Sequence, residues 1–126
     1  MTFTESIWGS DWLLVQELLN KYNFHDSNIM KLLHEENNLI LSIDFCRWKQ
    51  KDCKIGEDET KEISLKFEQV SDYIWNSDKS EKEIDYDTIL SFDCKDSRVK
   101  IVLWDSEISL ITFTCADVIL IEKGNV

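Results

Sequence analysis

The chain has 126 residues, a formal net charge of −11 and a sequence pI near 4.5. That charge repels nucleic-acid phosphates and anionic lipid surfaces, so both are poor partners, whereas a basic protein is a favoured one. Hydrophobic residues make up 43% of the chain, the proportion of a globular domain, and its length suits one domain spanning 1–126.

The N-terminus, M-T-F-T-E-S-I-W-G, has neither a basic region nor an apolar core, so no signal peptide is expected. No apolar run exceeds four residues, far short of a membrane span, and a cytoplasmic protein is expected. In that compartment Cys46, Cys53, Cys94 and Cys115 would be reduced thiols. Ser10 is placed to cap a helix starting at Asp11. Trp12, Val15, Leu18, Leu19 and Tyr22 line one face of it, and it ends near Tyr22–Asn23.

Phe24-His25-Asp26-Ser27 then forms a corner leading into a hairpin of strands Asn28–His34 and Leu39–Trp48, with Asn37 and Asn38 at the turn. Leu39, Leu41, Ile43 and Phe45 share one face of the second strand. Lys49–Glu62 is polar, carries Glu57, Asp58, Glu59 and Glu62, and reads as an exposed loop. Ile63, Leu65 and Phe67 mark a half-buried strand. Ser71–Trp75 is apolar without a clear period. Asn76–Asp87 is charged again, as a loop or the solvated side of an edge strand.

Thr88–Cys94, Arg98–Trp104, Glu107–Cys115 and Asp117–Glu122 read as consecutive strands joined by short turns at Lys95-Asp96-Ser97 and Asp105-Ser106. Val99, Ile101 and Leu103 alternate there with Lys100, Val102 and Trp104. With no prolines and three glycines, Asn, Asp and Ser must make the turns. The expected architecture is α+β, mainly β, with one N-terminal helix on a twisted antiparallel meander of about seven strands. Such a sheet twists and can curl or split into two layers.

Three constellations bear on chemistry. His25-Asp26-Ser27 contains the residue types of a hydrolase triad, but neighbouring residues point to different sides and no nucleophile elbow accompanies them. The favoured role for Phe24, His25, Asp26 and Ser27 is therefore a structural corner. The alternative is a small enzyme or ligand-binding domain with a pocket around His25, Asp26 and Asp44. The cysteines lack the spacing of a zinc site, and three scattered glycines build no phosphate loop, so neither metal nor cofactor is expected. The acidic run Glu57, Asp58 and Glu59, with Trp48 and Trp75 as exposed aromatics, has the composition of a protein-binding surface.

The F-H-D-S corner at 24–27, the strand Leu39–Phe45, the later Leu65, Phe67 and Val70, and the closing I-T-F-T-C-A-D-V-I-L-I resemble a known group. These are small bacterial proteins that include predicted immunity proteins (Imm-fifty type) of polymorphic toxin systems. The resemblance implies a non-enzymatic protein that binds and neutralises a partner toxin, and it carries over no catalytic residues; self-association as a homodimer is a separate option that the sequence leaves open.

Overall fold

The structure, a computed structural model, describes residues 10–46 and 60–122. It has one helix, α1 (Val15–Lys21), and strands β1 (Ser10–Leu13), β2 (Asn28–Glu35), β3 (Asn38–Cys46), β4 (Thr60–Glu68), β5 (Ser71–Asn76), β6 (Asp87–Lys95), β7 (Arg98–Asp105), β8 (Glu107–Thr114) and β9 (Asp117–Glu122). A 3-10 turn, Glu81–Glu83, lies between β5 and β6. The strands form one nine-stranded sheet in the order β1-β9-β4-β3-β2-β6-β7-β8-β5, every pairing antiparallel. The described residues are thus mainly β with one helix, as the strand pattern predicts. Among the described residues no helix is long and apolar enough to cross a membrane.

Seven of these strands answer to the sequence pattern, and two do not. Ser10–Leu13 is a strand paired with β9 (Ser10 opposite Ile121, Leu13 opposite Val118), not the start of a helix. The helix begins after Leu14, whose N–H donates to the Glu17 carboxylate at 3.1 Å, so Ser10 caps nothing. Seven residues are too few to form a stable isolated helix. Burial of Val15 and Leu18 holds it in place. The second addition is β5, the apolar stretch without a period, which pairs outside β8, so the order departs from a simple meander.

The first hairpin turns at Glu36-Asn37, one residue earlier than expected, with Glu36 at φ 54° and Asn38 already opposite Glu35. Thr60–Glu62, expected in a loop, opens β4. Residues 49–59 and Trp48 lie outside the described residues. At the Asp96-Ser97 turn both residues have positive φ (53° and 67°), the twist that suits a two-residue hairpin.

Alternation places the core. Leu39, Leu41, Ile43 and Phe45, then Ile63, Leu65 and Phe67, then Val99, Ile101 and Leu103, and Ile111 with Phe113, all turn inward and are buried. Phe67 of β4 and Phe113 of β8 are five places apart in the strand order, which in a flat sheet is about 24 Å. Their rings nevertheless meet edge to face with centroids 4.9 Å apart. The sheet therefore folds over on itself, and β1-β9-β4-β3-β2 faces β6-β7-β8-β5 across one core. The hinge is narrow: β2 pairs with β6 only through Asn28–Thr88 and Ile29–Asp87.

Candidate functional site

The F-H-D-S corner is held by backbone bonds. The Ser27 N–H donates to the Phe24 carbonyl at 3.0 Å, closing a turn, and the Asp26 N–H donates to the Ile89 carbonyl at 3.0 Å. The Ile89 N–H returns a bond to the Ser27 carbonyl at 2.8 Å. Phe24 is buried beside the rings of Tyr22, Phe45 and Phe92. Ser27 is buried, whereas His25 and Asp26 are about half exposed and pair at 3.3 Å, a contact worth little in water.

Asp26 has φ 71°, a region costly for residues with a Cβ but tolerated by Asp and Asn. Replacing Asp26 by Ala should cost about 1 kcal/mol, while Asp26→Gly should match or exceed the parent, because glycine reaches that φ freely. Equal losses in both variants, measured by urea unfolding, would place the contribution in the carboxylate and not in the backbone.

Asp44 stands on β3 opposite Asn28 and Glu62. Neither of the two clefts described below is lined by His25, Asp26 or Asp44. Glu57, Asp58 and Glu59 lie, with Trp48, outside the described residues. Trp75 is half-buried, and its indole N–H donates to the Lys79 carbonyl at 2.7 Å. It braces its own chain.

That brace belongs to a polar network which orders the segment expected to be a solvated charge run. Lys79 Nζ lies 2.6 Å from Asp87 Oδ2 and 3.2 Å from Asp105 Oδ2, with the side chains of Lys79 and Asp87 only 10% and 1% exposed. Asp87 Oδ1 accepts the Asp85 N–H at 3.1 Å, and Ser77 and Ser109 bridge their hydroxyls at 2.8 Å. Burial pushes the Lys79 ammonium down, but Asp87 and Asp105 outweigh it and its pKa stands above the ordinary value. Tyr73 on β5 donates its hydroxyl to the Glu81 carboxylate. Burial and that carboxylate together hold the Tyr73 pKa well above the usual phenol range.

Cys94 and Cys115 are free thiols lining a cleft of about 290 Å³ beside Val15 and Gln16 of α1. Burial, helped by Cys94 and Asp117, pushes Cys115 up to about 12, and burial raises Cys94 as well. All four groups hold their protons more tightly folded than unfolded. Their contribution is therefore complete below the unfolded values (about 8.5 for Cys, 10 for Tyr and 10.4 for Lys) and is lost as pH climbs through the folded ones. Thermal stability should hold level from pH 7 to about 8.5 and then fall steadily toward pH 12. A melting temperature flat to pH 11 would contradict these shifts.

The feature that bears on function is on the outer face of the second layer. Trp104 is 52% exposed, Ile108 54%, Ile74 53% and Leu90 38%. Cross-strand pairing gathers them: Trp104 sits opposite Ile108, half-buried Val102 opposite Leu110, and Ile74 opposite Thr112 two residues further along β8. Side chains on directly paired positions share a face, so Trp104, Ile108, Val102, Leu110 and Ile74 form one patch, with Leu90 exposed at the β6 bulge. The next pair, Asp105 and Glu107, turns to the opposite face, where Asp105 meets Lys79. Scattered exposed apolar residues are ordinary, but a contiguous patch centred on a tryptophan marks an interaction surface. Trp104 was legible as outward from its alternation with Val99, Ile101 and Leu103. The other members depend on pairings between strands.

A second cleft, of about 400 Å³, lies between β2 and the 3-10 turn. Lys31, Leu32, Leu33 and His34 line one wall, Glu81, Lys82 and Ile84 the other. At its end the His34 imidazole stands edge to face with the Tyr73 ring, centroids 4.1 Å apart. Compared with known proteins, the chain matches no family model and no curated sequence.

Proposed function

We propose that this is a protein-binding module that captures a basic protein partner on the outer face of β5–β8. The observation that carries this reading is the patch around Trp104 and Ile108. A tryptophan supplies a large, rigid contact area, and its ring face attracts a partner's Arg or Lys. The net charge of −11 favours a basic surface opposite it. On the resemblance of the F-H-D-S corner and its following strands, the partner is a toxin domain and the protein is its cytoplasmic, non-enzymatic inhibitor. That refinement rests on the resemblance alone.

The test uses a partner that co-purifies with the full chain. Trp104→Ser should weaken binding by about 2 kcal/mol, roughly thirtyfold, chiefly by faster dissociation. The fold should be unaffected, because half of the side chain already meets water. Neutralising Glu57, Asp58 and Glu59 together should instead slow association and flatten its salt dependence, with the dissociation rate little changed. Unaltered affinity in both Trp104→Ser and Ile108→Ser would remove the docking face from the account. Failure of the native protein to retain any protein partner would overturn the function itself.

A further inference from the structure

The cleft beside β2 has the form of an open sheet edge. Successive side chains of a strand point to opposite faces, so a cavity lined by Lys31, Leu32, Leu33 and His34 in a row must run along the strand's edge. The topology explains why that edge is open. β6 begins at Asp87, opposite Ile29, and β2 continues past it to Glu35. Lys31–Glu35 keep β3 as a neighbour on one side, while on the other no strand pairs with them among the described residues. The 3-10 turn occupies the far side of the gap, leaving a trench of about 400 Å³.

We propose that this trench is a second binding site, independent of the Trp104 face, which takes an extended peptide carrying carboxylate side chains. The peptide adds to β2 as a strand. Main-chain bonds to an open edge supply affinity, and alternate side chains supply selectivity. Leu32 and Ile84 offer apolar surface to the residues that face inward, and Leu33 lies on the outward face with Lys31. Lys31 and Lys82, one on each wall, offer ammonium groups to carboxylates that face outward. The single acidic residue in the lining, Glu81, already accepts the Tyr73 hydroxyl. The trench is thus a cationic island in a strongly acidic protein, with Glu35 and Glu36 beyond it at the hairpin turn.

The experiment titrates the full-length protein, labelled with nitrogen-15, with the N-acetylated tetrapeptide Val-Glu-Val-Glu as free acid and as C-terminal amide. Saturable shifts of the Met30–Glu35 and Glu81–Ile84 amides are expected with both forms. Preference for the free acid alone would assign the ammonium groups to a chain terminus and not to side-chain carboxylates, overturning that part of the proposal. Val-Lys-Val-Lys and Val-Glu-Pro-Glu should each bind at least about tenfold more weakly, the first for its charge and the second for the missing ladder N–H. Joint replacement Lys31→Gln/Lys82→Gln should produce a similar loss, while Lys95→Gln at the distant β6–β7 turn should leave binding unchanged. Both trench lysines are exposed, so the parent spectrum should persist in the double variant. Absence of saturable shifts along β2 would refute the site. Equal binding of the proline peptide, or full competition by hexanoate, would show ionic or small-molecule capture in place of strand addition.

Discussion

Replacing Lys79 by Met should destabilise the protein by about 3–5 kcal/mol in urea unfolding, the largest effect expected of any single charge in the chain. The substitution leaves the Asp87 carboxylate, 1% exposed, without the ammonium 2.6 Å away. A buried carboxylate stripped of its counter-charge loses its compensation for desolvation and must be protonated or hydrated by local opening. The segment between β5 and β6 should loosen with it, because Lys79 also accepts the Trp75 indole N–H through its carbonyl and bonds Asp105. The double variant Lys79→Met/Asp87→Leu should recover most of the loss, since a buried pair replaced by apolar groups of similar volume is often neutral. A loss under about 1 kcal/mol in the single variant would mean that water reaches Asp87 freely.

This pair shows where the sequence stops being legible. Asn76–Asp87 contains a dense run of charges, and nothing local distinguishes Lys79 and Asp87, which are buried, from Asp78 and Glu83, which are not. The choice is made by where the far ends of β5 and β6 deliver the chain. The same holds for Ser10–Leu13. Trp12 stands at helical spacing from Val15 and Leu19, so the local pattern favours a helix, and β9, more than a hundred positions later, overrides it. By contrast the alternating cores of β3, β4, β7 and β8 were readable, although the first three residues of β4 were expected in a loop, because one face of each is buried and period two then leaves a single consistent register. The same alternation held the signal for Trp104 at the docking face. Trp75 misled, since an indole in a charged neighbourhood looks exposed until a carbonyl partner is found for its N–H.

Phe67→Ala should cost about 3–5 kcal/mol, with Phe67→Leu losing markedly less. Phe67 is fully buried and meets Phe113 at 4.9 Å and Phe92 at 6.3 Å, so it joins one half of the folded-over sheet to the other. Truncation removes apolar burial, two ring contacts and volume at a place where strands distant in the order touch. Its cross-strand neighbours Leu39 and Val118, and Phe113 against its ring, are buried ladder residues that cannot collapse far into the void. Calorimetric unfolding of the Ala variant should remain one transition with a lowered midpoint. Two separate transitions would mean that the layers are independently stable and that the shared core does not couple them.

The placement of β9 between β1 and β4 bears on how the chain is made. During synthesis the segment carrying β1 emerges first and β4 appears near the middle of translation, yet neither can acquire this neighbour until Asp117–Glu122 has left the ribosome. Between the emergence of β4 and that of β9 the hydrogen-bonding edge of β4 is open and apolar on one side, a template on which nascent chains can pair with one another. The β6-β7-β8 hairpins are local and can form as they emerge, but the β1–β9 pairing spans nearly the whole chain and is slow to find. Completion of this side of the sheet therefore waits for β9 to slide into the slot between β1 and β4. A nascent chain stalled before residue 117 should be captured by chaperones or aggregate, and one extended beyond residue 122 by a linker should resist protease.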